Sequence, residues 1–199
     1  MNKNNLQIKS KGFTLVEIMV ATSIFTVIML IAIGSLVVAS DSAKKSQALQ
    51  SAMDNVNFAL DSMTRSLRMG THYSCIMTPN LTWPLPDAND CINGGGGIGF
   101  VPASDSSSTP DMAYIANASS RGDGTTALQR CDKTTSSCID MVANNVDVKT
   151  LKFFVRGASP YGTDYIQPSV YIIMKGTITI KGQPSSFAIQ TMASQRTSE

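Results

Sequence analysis

Between Phe13 and Ala39 the chain runs FTLVEIMVATSIFTVIMLIAIGSLVVA, 27 residues in which Glu17 is the only ionisable side chain. A helix needs roughly 20 apolar residues to cross a bilayer, so the run is long enough to span one. A carboxylate near its start costs on the order of a few kcal/mol if left charged and unpaired in hydrocarbon. An acid in that setting is therefore read first as functional, with a partner elsewhere. A cleaved secretory signal fits poorly, because its apolar core is about 7–15 residues and closes on a small-x-small site. A plain anchor accounts for the length but not for Glu17, nor for the Lys11-Gly12 step just before the run.

Lys11-Gly12-Phe13-Thr14-Leu15-Val16-Glu17 closely resembles the prepilin cleavage and methylation signature of type IV pilins and type II secretion pseudopilins. The resemblance covers the basic leader, the Gly-Phe step, the acid and the apolar span. It implies a prepilin peptidase cutting after Gly12 on the cytoplasmic side and N-methylation of the new N-terminus at Phe13. Glu17, fifth in the processed chain, would then face the amine of a neighbouring subunit. The implied partners are the peptidase, other pilin or pseudopilin subunits, an inner-membrane assembly platform and membrane lipid before assembly. Major pilins commonly carry a proline within the span. Its absence here, with Gly34 near the outer end, leans towards a minor pilin or pseudopilin.

Pairing an amine with a carboxylate cancels two charges that hydrocarbon tolerates badly apart. Lys3, Lys9 and Lys11 precede the span with no acid among them, so the positive-inside bias keeps this end cytoplasmic and exports the chain beyond Ala39. Losing a leader at residues 1–12 removes three of the 16 basic residues, leaving 13 against 14 acids. That near-neutral balance argues against a nucleic-acid partner. The reading divides the chain into leader 1–12, membrane or filament-core helix 13–39, amphipathic extension 40–70 and an extracytoplasmic β-rich head 71–199.

Helical periodicity continues past the membrane. Leu49, Ala52, Met53, Val56, Ala59, Leu60, Met63 and Leu67 recur at three- and four-residue spacing, and Gly70 offers a stop. One helix from Phe13 to Met69 would measure roughly 85 Å at 1.5 Å per residue. A short coiled coil competes for the outer half, but few charges flank the stripe.

From Thr71 to Arg130 small and turn-forming residues dominate, including the run Gly94 to Gly97, and long loops with strands at Ile98–Val101 and Met112–Ala116 are expected. The glycines are not a phosphate loop, since no Lys-Ser/Thr and no helix pattern come after them. Cys75, Cys91, Cys131 and Cys138 are an even set in an exported region, which suggests two disulfides. Three connectivities are open. The sequence-local one, Cys75 with Cys91 and Cys131 with Cys138, closes the shortest loops. Zinc is the alternative, but there is no C-x-x-C and the only histidine is His72, placed in a loop.

The last third alternates. Leu151, Phe153 and Val155 oppose Lys152, Phe154 and Arg156; Val170, Ile172, Met174, Ile178 and Ile180 oppose Tyr171, Lys175, Thr177 and Thr179. With Phe187–Met192 these form an antiparallel meander whose open face the helical stripe would cover. The fold class is α+β: a long N-terminal hydrophobic helix packed through its outer half on a small antiparallel sheet.

No G-x-S-x-G, H-E-x-x-H or paired catalytic carboxylates occur, so no enzyme activity, cofactor or metal is expected. Asp87, Asp90, Asp105 and Asp111 lie in loops without the spacing of a tight Ca²⁺ site. The function expected is that of a structural subunit in a type IV pilus or type II secretion pseudopilus, placed in the bacterial inner membrane before assembly. Two alternatives remain open: a competence-type pseudopilin for DNA uptake, which requires a basic, aromatic-bearing head, and a membrane-anchored extracytoplasmic binding protein.

Overall fold

The computed structural model describes residues 12–78, 81–105, 107–158 and 166–196. The chain divides into two compact units, Met1–Ser46 and Gln47–Glu199. A single helix, α1 (Leu15–Met69), carries the backbone from one into the other.

Within the first unit the apolar segment of α1 is exposed on all sides. It is the one helix among the described residues long and apolar enough to cross a membrane. Three of its hydroxyls are satisfied internally: Thr22 donates to the Ile18 carbonyl at 2.9 Å, Ser23 to Val20 and Thr26 to Ser23, both at 2.8 Å. Such bonds let polar side chains lie in an apolar helix without an unmet donor. Thr14 makes no such bond to an earlier carbonyl among the described residues. It precedes the helix and has no earlier turn to reach.

In the second unit the outer part of α1 buries Ala52, Val56, Ala59, Leu60, Met63 and Leu67 in the main core, with Leu49 and Met53 partly covered. The 3.6-residue stripe thus closes onto sheets rather than onto another helix. The helix ends at Met69, but not through a left-handed glycine. A Cβ on Gly70 would lie 2.6 Å from Phe100 Cδ2, so close packing is what requires glycine there. The buried Tyr73 hydroxyl donates to the last carbonyls, those of Leu67 and Gly70. Helix ends leave such carbonyls without a partner of their own.

The rest of this unit is two antiparallel sheets. The first has the order β1-β2-β3-β4-β5: β1 (Thr71–Ile76), β2 (Gly97–Val101), β3 (Met112–Ala118), β4 (Thr126–Asp132) and β5 (Ser137–Asp140). The second is the meander β6 (Val146–Arg156), β7 (Ser169–Ile180) and β8 (Gln183–Ser194). The meander matches the alternation in sequence. The first sheet corrects the expectation of loops, since β1, β4 and β5 carry no strand signal in the sequence. For β1 and β4 the cause is burial of successive residues on both sides, which erases period-two patterning; β5 is a short and mostly exposed edge strand. All five residues of β2 are buried. One face of the sheet joins the main core. On the other, Leu85, with Leu81 and Trp83 partly covered, packs over Ile76, Ala113, Ile115 and Cys131.

Candidate processing and assembly site

Gly12, Phe13 and Thr14 are exposed and non-helical, and α1 begins at Leu15. The Gly12–Phe13 peptide bond therefore lies in exposed, irregular chain ahead of the helix. A Cβ on Gly12 would meet no atom within 4 Å. Residues 1–11, Lys11 among them, lie outside the described residues.

Thr14 occupies the N-cap position. Its Oγ1 accepts from the Glu17 backbone N–H at 3.3 Å, and its carbonyl accepts from Ile18 N–H at the same distance. Thr14-Leu15-Val16-Glu17 is thus a T-x-x-E capping box by sequence, a local signal masked when Glu17 is read only as a membrane acid. Only half of the box is closed. The Glu17 carboxylate makes no hydrogen bond or ion pair among the described residues. It stands at the positive end of the helix dipole with its acceptor capacity unspent.

The four cysteines are paired, Cys75 with Cys91 and Cys131 with Cys138, with Cα separations of 5.5 and 4.0 Å. Cys131 and Cys138 are direct cross-strand partners on β4 and β5. Cys75–Cys91 ties β1 to a segment that borders the meander: Cys91 N–H donates to Val155 O at 2.9 Å, and Gly95 and Phe153 exchange bonds of 2.8 and 3.0 Å. The glycine run is the packing device of this junction. A Cβ on Gly95 would lie 2.7 Å from Cys75 Sγ and from the Ile76 carbonyl, and one on Gly97 would lie 2.6 Å from Ile115.

His72 lies in β1, not in a loop. It has φ of +52° at a shift of strand register and is exposed, with Nδ1 3.1 Å from Thr71 Oγ1. No group of three His, Cys, Asp or Glu is placed to hold a metal among the described residues. The loop acids have other employment. Asp90 accepts from Ala158 N–H at 2.8 Å and Asp105 from Ser107 N–H at 3.0 Å. Burial raises the Asp111 carboxyl to about 6, helped by its hydrogen bond with Asp105 and the charges of Asp105 and Asp132. Asp140 is the reverse case. Burial pushes its pKa up, but donors from Gln129, Ser119 and Ser120 outweigh that and hold it below the ordinary value. Arg121 also reaches it at 3.0 Å.

The family model of the prokaryotic N-terminal methylation motif matches residues 8–39. Comparisons with curated proteins and with solved structures found no significant match. The matched stretch contains the Gly12–Phe13 bond, the cap and most of the exposed apolar helix. This chain therefore carries a type IV pilin-like N-terminal signature on one long apolar helix followed by antiparallel sheets, an architecture that matches the pilin fold.

Proposed function

We propose that the chain is a minor pilin or pseudopilin, a non-enzymatic subunit of a type IV pilus or type II secretion pseudopilus. The observation that carries this reading is the methylation motif running directly into a helix whose apolar side chains have no cover. A prepilin peptidase cuts after Gly12, Phe13 is methylated, and the subunit waits in the inner membrane as a single-pass protein with its head outside the cytoplasm. Assembly moves α1 from lipid into a bundle of like helices, because so large an apolar surface is not left in water. Contacts between unlike faces that do not close into a ring extend as a helical polymer. Glu17 meets the amine of a neighbouring Phe13, which fixes axial register.

Fractionation of cells expressing the chain with its native assembly machinery tests this reading. The processed chain is expected in the sheared filament fraction, and Glu17→Ala is expected to stay in the membrane fraction. Efficient recovery of Glu17→Ala in filaments would remove the proposed role of the acid. Absence of the native chain from every filament fraction would overturn the assignment.

A further inference from the structure

We propose that the outward face of the β6–β7–β8 meander binds single-stranded nucleic acid, through a cross-strand row of Phe154, Tyr171 and Met192 flanked by Lys152, Lys175 and Arg156. The proposal does not depend on the filament reading.

Strand alternation sets which side chains share the face. Leu151, Phe153, Val155, Val170, Ile172 and Met174 are buried on the core side, so the residues between them point outward. The register then builds rows across the three strands. Phe154 pairs with Tyr171 and Tyr171 with Met192; one step along, Lys152 pairs with Ile173 and Ile173 with Gln190. Arg156 pairs with Ser169 beyond one end of the apolar row, and Thr150 with Lys175 beyond the other.

Tyr171 is 44% and Met192 50% exposed. Phe154 is half-buried because the backbone of Gly94 lies against its ring; a Cβ there would fall 2.8 Å from Phe154 Cε1. That contact braces one ring beside a freer one. An exposed aromatic ring set beside a half-buried one on a sheet offers a stacking surface for unpaired bases.

The charges complete the pattern. The three strands contain four basic residues and a single acid, Asp147. Asp147 is occupied by Lys149 and by the Thr126 backbone N–H. Lys152, Lys175 and Arg156 make no ion pair or hydrogen bond among the described residues. The near-neutral total that argues against nucleic acid averages over the whole chain, whereas these three strands carry four basic residues and one acid that is already paired. A stacking surface within a cationic frame is what phosphate and base together require. A duplex hides its base faces, which disfavours it here. Among the described residues these strands also offer no free carboxylate to accept hydrogen bonds from sugar hydroxyls, which disfavours a polysaccharide.

Fluorescence anisotropy on the full chain in detergent tests the assignment, using a labelled 12-nucleotide oligothymidylate, the matching duplex and a heparin fragment as probes. The single strand is expected to bind more tightly than the duplex or heparin. Tyr171→Leu keeps an apolar side chain but removes the ring; it is expected to weaken single-strand binding about 5- to 100-fold, while Tyr171→Phe binds as the native chain does. Lys152→Gln with Lys175→Gln is expected to flatten the slope of log affinity against log salt by about 1.4. Equal binding of heparin with no effect of Tyr171→Leu would overturn the proposal in favour of a plain polyanion surface. Failure to bind the oligonucleotide at 50 mM salt and 100 µM protein would overturn it outright, as would masking of the face by self-association seen in sedimentation.

Discussion

Glu17 has two physical roles that must be separated. Its carboxylate stands in the first turn of α1, at the positive end of the helix dipole, so part of any effect of changing it is helix initiation, a matter of about 0.3–1 kcal/mol. Glu17→Gln distinguishes the roles, because glutamine also serves at the third position of a capping box. Helix content in detergent should be unchanged while filament incorporation is lost; normal incorporation would assign Glu17 to capping alone. Gly95 is a second single-residue constraint, and Gly95→Ala must displace both the Cys75 sulfur and the Ile76 carbonyl. A loss of about 1–3 kcal/mol is expected in thermal or denaturant unfolding.

Two aspartates set opposite pH dependences. The raised Asp111 contributes stability below the ordinary carboxylate value of 3.8, and that contribution is lost as pH rises through about 6. Asp111→Asn should therefore raise the melting temperature at pH 7.5 more than at pH 4.5. The lowered Asp140 contributes above the ordinary value, and its contribution is lost as pH falls through the folded one. Asp140→Asn should accordingly cost most at neutral pH and least in acid. Melting curves of both variants across this range check the two signs.

At the scale of elements, the helix stripe and the meander are legible because each meets the core on one side only, which leaves a period of 3.6 or 2 in the sequence. Val56, Met63 and Leu67 are fully buried, as are Val170, Ile172 and Met174. Strands β1 and β4 are not legible. Tyr73, Ser74, Cys75 and Ile76 are buried in succession, and so are Ala127, Leu128 and Gln129. The glycine run reads as loop chemistry because its purpose, close approach to a disulfide and to Ile115, is set by contacts distant in sequence. In the N-terminal site, the Gly-Phe-acid order is legible because it is local. The cap at Thr14 is equally local, but the membrane acid three residues on is the stronger signal and hides it. The two disulfides close loops with separations of 16 and 7 residues. Chain-entropy reasoning assigns about 3 kcal/mol to the first and about 2 to the second. Replacing Cys75 and Cys91 together by Ala should thus lower unfolding stability more than replacing Cys131 and Cys138. The reverse order would show that contacts in the folded state, not loop entropy, decide the difference.

For the whole molecule, an uncovered apolar helix and a well-packed head need two different environments in turn. In the proposed function, lipid satisfies the helix of the stored subunit and neighbouring helices satisfy it in the polymer. That exchange requires the N-terminus to be freed, because the partner proposed for Glu17 is an amine that does not exist until the chain is cut before Phe13. The most direct measurement is mass spectrometry of the intact protein purified from its native filament or membrane fraction. The account predicts a chain beginning at N-methylated Phe13 and lacking residues 1–12. A functional population retaining Met1 and the residues up to Gly12 would contradict it.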